Sequence, residues 1–554
     1  MSPAARAKGS KGAAASKRRS VDGASGRVAA VVRIESRNPA TGVLLGTLPA
    51  ATPQQLADLV SETIAVAPLW AQLRIGDRAR YLRRAAQAVI DERVELVELL
   101  VREGGRPRTE VAALELLGAI DTLRWLAANA ESLLGSSRLP LSRALHPFKR
   151  ASVAHEPAGT VALIGSGSSP FAGPLCQIAA ALVAGNGVVF KPAVRASLAG
   201  ERIVRLLARA GLPEGIVRVA YGGAEVGREL VAAEGVARVF FTGGRRAGAE
   251  VALACASAGR GAVIELGGPD AMIVLEDANV PRAVAAALWA GCVGAGQPHG
   301  AVKRVLVVRE RFERFVAELR AGSQALALGD PIDEDTQLGP LASPARRDAL
   351  AAAVSEAIAG GAELHCGAPA QPGGLAGAFH TPVVLTQVSA EARLRRERVP
   401  GPVIAVCAIA DSAEAVELAN EGEGGLGASV WCADRYRAER IARELRVGSV
   451  WLNDHLPAPG VGRAPWGAVG GGSIWRSQGA AGLAACVEPK LITWDPPPGR
   501  SFWWHRYDRT SARAAMAIAE FGSIRDADRE RALRGGSLAL LRMALRVLRS
   551  RGRR

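Results

Sequence analysis

The chain is expected to fold as an α/β protein with two parallel-sheet domains. Three observations predict this. A length of 554 residues exceeds what one hydrophobic core usually organises, so two or three domains are expected. Short β-rich runs alternate with helix-like segments between residues 160 and 241, and the alternation resumes from about Gly267 to Gly462. That rhythm is the signature of parallel strands joined by crossover helices. Hydrophobic residues make up 49% and charged residues 22%, the balance of a soluble globular protein.

Residues 1–33 are mostly Ala, Gly, Ser, Lys and Arg. They cannot bury enough surface to offset chain entropy, so a disordered basic tail is expected. The body opens near Arg33-Ile34-Glu35. From Thr52 to Ala130 the apolar residues recur at helical spacing, as in Leu82, Ala86, Val89 and Ile90. After Pro157 the pattern changes to strands. Thr160–Ile164 reads as a short buried strand, followed by a Gly/Ser turn from Gly165 to Ser169 and a helix from Pro174 to Ala184. Gly187–Lys191, Ile216–Ala220 and Val236–Phe241 follow as strands, with a helix over Leu198–Ala210. In the second alternation the strands include Val305–Val308, Ala405–Ile409 and Ser449–Leu452. The resulting division is a nucleotide-type domain in 34–132 and 152–266 and a second domain in 267–462. A basic tail occupies 500–554.

The net charge of +16 invites a nucleic-acid reading, but its location argues against one. Residues 1–33 carry eight Lys/Arg and one acid, and residues 500–554 carry fourteen Arg and five acids. The intervening 34–499 is balanced, with 47 basic and 47 acidic residues, so no basic groove on the folded body is implied. No apolar run approaches the roughly 18–20 residues that span a membrane. The seven cysteines are scattered without a CxxC or a metal-type cluster, which points to a reducing, cytoplasmic compartment. In the tail, a helix from Ser537 would gather Leu538, Leu541, Leu545 and Leu548 on one face and Arg542, Arg546 and Arg549 on another. With Trp503, Trp504 and Tyr507 nearby, this suits peripheral attachment to an anionic membrane surface; equally, the leucine face would suit packing on the body or a sister subunit.

Several short segments occur in a fixed order. They are Glu156-Pro157-Ala158-Gly159, Ala184-Gly185-Asn186 with Lys191-Pro192, Phe241-Thr242-Gly243, Glu265-Leu266-Gly267-Gly268 and Gly296-Gln297. Gly329-Asp330-Pro331, Gly339-Pro340, Gly401-Pro402-Val403, Leu418-Ala419-Asn420, Gly425-Leu426-Gly427 and Val450-Trp451-Leu452-Asn453 continue the series. Each is weak alone; together, over about residues 34–495, they resemble the aldehyde dehydrogenase superfamily. The resemblance implies that family's fold, a Rossmann-like cofactor domain beside a catalytic domain, and strands in 133–151 and 483–499 that assemble a homo-oligomer. The Trp-Trp-x-x-Tyr tail also resembles that of dehydrogenases acting on carotenoid aldehydes.

The family's chemistry needs a cysteine thiolate to attack the aldehyde, a side-chain amide and a backbone N–H to hold the oxyanion, and NAD or NADP to accept hydride. A glutamate then activates water. The resemblance places Glu265 as that base. The family's Asn-Ala-Gly-Gln-x-Cys, with an arginine five residues on, reads Gly294-Ala295-Gly296-Gln297-Pro298-His299 followed by Arg304. His299 therefore stands in the nucleophile position. Cys292 lies seven residues earlier, about 10 Å along a helix, and reads as a core residue. The Pro-Trp-Asn-x-Pro turn becomes Ser166-Gly167-Ser168-Ser169-Pro170, which puts Ser168 in the oxyanion-amide position.

Among cofactor contacts, Lys191 resembles the residue on the adenosine ribose, and the acid expected three residues later is Val194, with Arg195 beside it. That loss would admit NADP as well as NAD. Gly243 is kept, Gly244 replaces a pyrophosphate-binding serine, and Arg398 replaces the glutamate of the nicotinamide ribose. Glu397 is expected on the opposite face of a strand from Arg398. The expected function is therefore a scaffold without aldehyde oxidation. The alternative is an NAD(P)-dependent oxidoreductase working through Glu265 by a non-thiol route, and a cofactor-free esterase using His299 and Glu265 has nothing behind it beyond two polar groups facing one cavity.

Overall fold

The computed structural model describes residues 32–142, 146, 149–422, 425–455, 462–495, 504 and 507–549. The expected N-terminal tail, apart from Val32 and Arg33, lies outside them, as do Pro496–Pro498 and Trp503. The described chain opens with an antiparallel pair, β1 (Arg33–Arg37) and β2 (Leu44–Pro49). The stretch read as helical is a succession of helices. Thr52 starts α1 (Pro53–Ala71) with a reciprocal cap, accepting from the Gln55 N–H while the Gln55 side chain accepts from its own N–H. Next come α2 (Ile75–Asp91), which buries Leu82, Ala86 and Val89, and α3 (Arg93–Gly104). A π-helical turn, Val111–Leu117, then leads into α4 (Gly118–Leu134). Such turns gather at functional sites; this one contributes Glu115, which is fully buried.

β3 (Ser137–Leu139) and β4 (Arg150–Pro157) belong to a small antiparallel sheet. The Rossmann-like layer follows as β5 (Thr160–Ile164), α5 (Ala172–Ala184), β6 (Gly187–Lys191), α6 (Ser197–Arg209), β7 (Val217–Val219), α7 (Ala224–Ala232), β8 (Val236–Gly243), α8 (Arg245–Ser257) and β9 (Gly261–Leu266). β9-β8-β5-β6-β7 pair in parallel, so the order reverses beside β5. The second layer comprises β10 (Asp270–Val274), α9 (Val280–Cys292), β11 (Val302–Val308), α10 (Arg309–Ala325), α11 (Pro344–Ala359), β12 (Glu363–Cys366), β13 (Val383–Thr386), α12 (Arg393–Arg396), β14 (Val403–Ile409), α13 (Ser412–Ala419), β15 (Gly425–Trp431), α14 (Arg435–Glu444) and β16 (Val447–Leu452). Its order is β12-β13-β14-β11-β10-β15-β16, with only β12 antiparallel. β17 (Ser473–Ile474) returns to pair with β9 at Glu265 and Ile264.

Late in the chain, β18 (Val487–Trp494) pairs residue for residue with all of β4, giving the sheet order β18-β4-β3. The strand Arg150–Pro157 thus runs through the expected boundary between 151 and 152. Beyond it, α15 (Arg509–Phe521) and α16 (Ser537–Arg549) pack together through Ala514, Ala539 and Met543. The expected leucine face is not the buried one: Leu538, Leu541 and Leu545 are exposed. Small residues allow the close approach of the two helices, and the bulkier leucines are left outside.

The core of the first layer joins helix to sheet through Trp70, Leu123, Leu175 and Phe190. Three acidic or basic side chains are embedded beside it. Arg106 Nη1 meets Glu115 Oε1 at 2.7 Å, and its Nε meets Glu110 at 3.3 Å. Glu115 also accepts from the N–H groups of Phe171 (3.1 Å) and Ala172 (2.7 Å) at the start of α5. Removing Glu115 leaves Arg106 paired with Glu110 alone and strands the buried N–H groups of Phe171 and Ala172, losses that together typically cost about 3–5 kcal/mol. Glu115→Ala is therefore expected to lower the urea midpoint by that equivalent. Glu98→Ala, which breaks the exposed Glu98–Arg102 pair, is expected to shift it by no more than about 0.5 kcal/mol.

Candidate active site

Two loops define the site. The first, Gly165–Phe171, leaves the C-terminal end of β5 and enters α5, where ligands of parallel sheets commonly sit. The second runs from Val293 to Gly300 after α9. Gly294, Ala295 and Gly296 have φ of 55°, 54° and 65°, so the chain makes a left-handed turn there. Ala295 adopts this conformation with a Cβ, at a cost of about 1–2 kcal/mol. Glu110 accepts from the Gly294 N–H at 2.8 Å, and the Gln297 amide donates to the Gly294 carbonyl at 3.0 Å. The buried Lys303 Nζ donates to Gly296 O at 2.9 Å and also to Gly401 O.

Between these loops lies a cavity whose lining includes Ser168, Glu265, His299, Gln177, Thr242 and Trp466. The structure thus brings together the three residues singled out as catalytic positions. Ser168 is turned to its own loop, its Oγ 2.8 Å from Ser166 Oγ, and its N–H also donates to Ser166 Oγ. Glu265 is buried at the end of β9. Gln177 Nε2 donates to one of its oxygens (3.2 Å) and Thr242 Oγ1 to the other (3.3 Å). Burial pushes its pKa up to about 7 against these two hydrogen bonds. His299 behaves oppositely. Burial, followed by the charges of Arg398, Arg346 and Arg195, pushes its pKa down to about 3. Cys292 closes α9 as a buried thiol pushed up to about 12 by desolvation, and it does not line this cavity. The core reading of Cys292 agrees with this placement.

The residues assigned to a dinucleotide are divided. Gly243, Gly244 and Arg398 line one larger cleft with Gly267. Lys191 is not part of that lining. Its buried Nζ donates to the carbonyls of Pro192 (2.8 Å) and Gly222 (3.0 Å), and desolvation lowers its pKa to about 8. Arg398 corrects the expectation of a strand: α12 ends at Arg396, and the next strand starts only at Val403. The face argument separating Glu397 from Arg398 fails, and both line the cleft. Arg398 Nη2 donates to the Gln297 and Pro298 carbonyls, the latter at 2.8 Å. Its Cδ lies 2.7 Å from where a Cβ on Gly267 would stand, and His299 Cδ2 lies 3.2 Å from the same point. The arginine therefore occupies the space over Gly267 beside the imidazole.

Of the other contributors, Thr242 lay in the Phe241-Thr242-Gly243 segment without an assigned role, and the rest carried no motif. Gln177 and Thr242 are recognisable only once β8, β9 and α5 are assembled. His455, fully buried, sits with Nε2 3.1 Å from Gly300 O and Nδ1 3.2 Å from Ser429 Oγ, fixing the end of the second loop. Asp270, buried at the start of β10, has its carboxyl raised well above the usual range by desolvation. Its place directly after Gly268-Pro269 was the one available signal.

Known proteins agree with this architecture. The family model for the aldehyde dehydrogenase family matches residues 28–492. The chain is 33% identical to betaine aldehyde dehydrogenase 1 of Rhizobium meliloti (strain 1021) over 474 residues, covering 85% of this chain and 96% of that protein. It is also 33% identical to a 4,4'-diapolycopene aldehyde oxidase of Methylomonas sp over 450 residues, covering 81% and 83% respectively, in agreement with the carotenoid-aldehyde likeness of the tail. Among solved structures, a putative aldehyde dehydrogenase from Burkholderia cenocepacia superposes with a TM-score of 0.82 at 27% identity, over 86% of this chain and 96% of that one. A Mycobacterium tuberculosis aldehyde dehydrogenase complexed with NAD+ gives 0.79 at 29% identity, over 83% and 94%. The two α/β layers, the order of the motifs and these matches place the chain in the aldehyde dehydrogenase family.

Proposed function

We propose that this protein is an aldehyde dehydrogenase scaffold that does not carry out the family's NAD(P)-dependent oxidation of aldehyde to carboxylate. The observation that carries the reading is the pairing of Glu265 with His299 in one cavity whose lining holds no thiol among the described residues. A neutral imidazole can accept or donate a proton, but an acyl-imidazole is a poor substitute for the thioester that hydride transfer produces. Ser168 reinforces the reading, because its hydroxyl is engaged by Ser166 and offers no amide to an oxyanion. One missing oxyanion donor costs about 100- to 1000-fold in rate. NAD or NADP would supply the hydride acceptor in this family. The nicotinamide end does not fit here, since Arg398 fills the space over Gly267 beside His299. No step is therefore assigned to the cofactor.

A second reading has one observation in its favour. A carboxyl near 7 is suited to general-base work, so Glu265 could deprotonate an aldehyde hydrate if a nucleotide displaced Arg398. The exposed strand β18, with Leu491, Ile492 and Trp494 outward, suits pairing with a second copy. The exposed leucines of α16 among arginines suit an anionic membrane surface.

Purified protein is expected to generate no NAD(P)H across an aldehyde panel between pH 6 and 10; turnover abolished by Glu265→Ala would establish the second reading instead. The His299→Cys/Ser168→Asn double variant, assayed alongside calorimetric titration of NAD and NADP, separates two causes. Restored oxidation means only the reaction centre changed, and absence of nucleotide binding means the cleft changed with it. Because the folded-state pKa of His299 lies below its unfolded value, its contribution is present above about pH 6.5 and is lost as pH falls toward 3. His299→Gln removes that loss, so on going from pH 7 to pH 4.5 the variant should lose roughly 2–3 kcal/mol less than wild type in urea unfolding. Wild-type His299 ring protons should show no NMR titration between pH 5 and 8.

A further inference from the structure

The charges around His299 do not balance. Arg106 is matched by Glu110 and Glu115. Nearby Glu103 is committed to Ser36 (2.6 Å) and to the N–H groups of Leu198 (2.9 Å) and Ala199 (2.8 Å). Glu265 is held by Gln177 and Thr242. Three further arginines face the Gln297–His299 segment. Arg346 donates to Gln297 Oε1 at 3.0 Å, and Arg398 donates to the Gln297 and Pro298 carbonyls. The buried Nε of Arg398 has no hydrogen-bond partner.

Arg195 lies with its guanidinium carbon 3.0 Å from where a Cβ on Gly167 would stand, on the wall of a cavity lined also by Ser168, Gln297 and Pro298. Arg195 enters no hydrogen bond or ion pair among the described residues. Burial and the like charges of Arg346 and Arg398 lower its pKa to about 10. Among the described residues Asp270 is the acid whose charge acts on Arg398, and both line the cleft with Gly267. A cluster of like charges taken out of water is unfavourable unless a counter-charge joins it.

We propose that the cavity beside His299 binds a small organic carboxylate, with Arg195 as its direct partner and Arg346 and Arg398 adding positive potential. This rests on the reading that the cavity does not run the thiol reaction, and it assigns the site a ligand. Guanidinium forks match a planar carboxylate, and each arginine has donors to spare beyond its present bonds. The Arg195 cavity shares Arg106, Ser168 and Pro298 with the cavity of His299. There Leu114, Pro174 and Trp466 offer an apolar wall for an alkyl chain. The bound species is the acid form of what the family oxidises, held without being made.

Calorimetric titration with hexanoate, acetate and inorganic phosphate, at ionic strength matched with chloride, tests this. Hexanoate should bind saturably and more tightly than acetate or phosphate. Arg195→Met and Arg195→Gln should each weaken hexanoate at least tenfold, while the exposed-site control Arg246→Met leaves it unchanged. Without ligand, both Arg195 variants should melt above wild type, because one of three mutually repelling charges is gone. Absence of saturable binding, tighter phosphate than hexanoate, affinity indifferent to Arg195, or a lower melting point in both variants would overturn the assignment. The two readings fail separately. NAD(P)H production with Arg195-dependent hexanoate binding removes only the inactive reading, and no turnover with no hexanoate binding removes only the carboxylate site.

Discussion

The buried contact of Arg106 with Glu110 and Glu115 holds the site together. A single buried ion pair is a weak source of stability, because desolvation cancels most of the attraction. Here the carboxylates do more than face an arginine. Glu115 accepts from the first N–H groups of α5, where a negative charge also meets the positive end of the helix dipole, and it receives the Ser169 hydroxyl. Glu110 accepts from Gly294 in the other loop. One cluster thus ties a loop that follows β5 to a loop that follows α9, and the cavity is the space left between them. The π-helical turn at Val111–Leu117 belongs to the same device, since it carries Glu115 within the run that joins Arg106 and Glu110 to α4.

The anchors of that frame are distinct from the reactive positions. None of Ser168, Glu265 or His299 supplies a carboxylate to the cluster; Ser168 touches it only through its carbonyl, 3.4 Å from Arg106. Side chains at those positions can therefore change without moving either loop. With imidazole at 299 and guanidinium groups at 195, 346 and 398, the potential in the cavity is positive. His299 is held neutral by burial first and by that potential second, and Glu265, whose ionisation burial disfavours, supplies only part of a compensating charge. The electrostatic state of the cavity follows from the side chains at these positions, while the frame that spaces the two loops is set by other residues.

The two-layer architecture was legible because it rests on local signals: buried β-rich runs such as Thr160–Ile164, and the positions of glycines and prolines between them. The positions of Glu265, His299 and Ser168 were legible because the motif spacing is preserved without gaps. The surroundings of those residues were not, for they depend on which distant segments meet. Arg195 sits next to a residue of the nucleotide motif, yet its guanidinium lies against Gly167. Arg346 belongs to a helix that no motif marked. The error at Glu397 and Arg398 had a specific origin: alternation of faces was applied to a segment that is neither strand nor helix. In the tail, periodicity picked out Leu538, Leu541 and Leu545, which the structure leaves exposed, but it could not say that Ala539 and Met543 would be the face that packs.

Gly267 shows how much turns on a missing side chain. A Cβ there would meet both Arg398 and His299, so the glycine leaves a gap that any neighbour long enough can fill. In a protein that binds a flat ring at this point, the gap admits the ring. With arginine at 398, the same gap admits an aliphatic stem whose guanidinium finds two carbonyls, Gln297 and Pro298, already oriented by the left-handed turn before them. The stem is covered, and charge-assisted bonds replace water at the head. Displacing it would cost those bonds and return a cation to an already positive cavity. A neutral ring gives nothing back for that loss, whereas an incoming anion leaves the arginine in place and lowers the repulsion on all its neighbours.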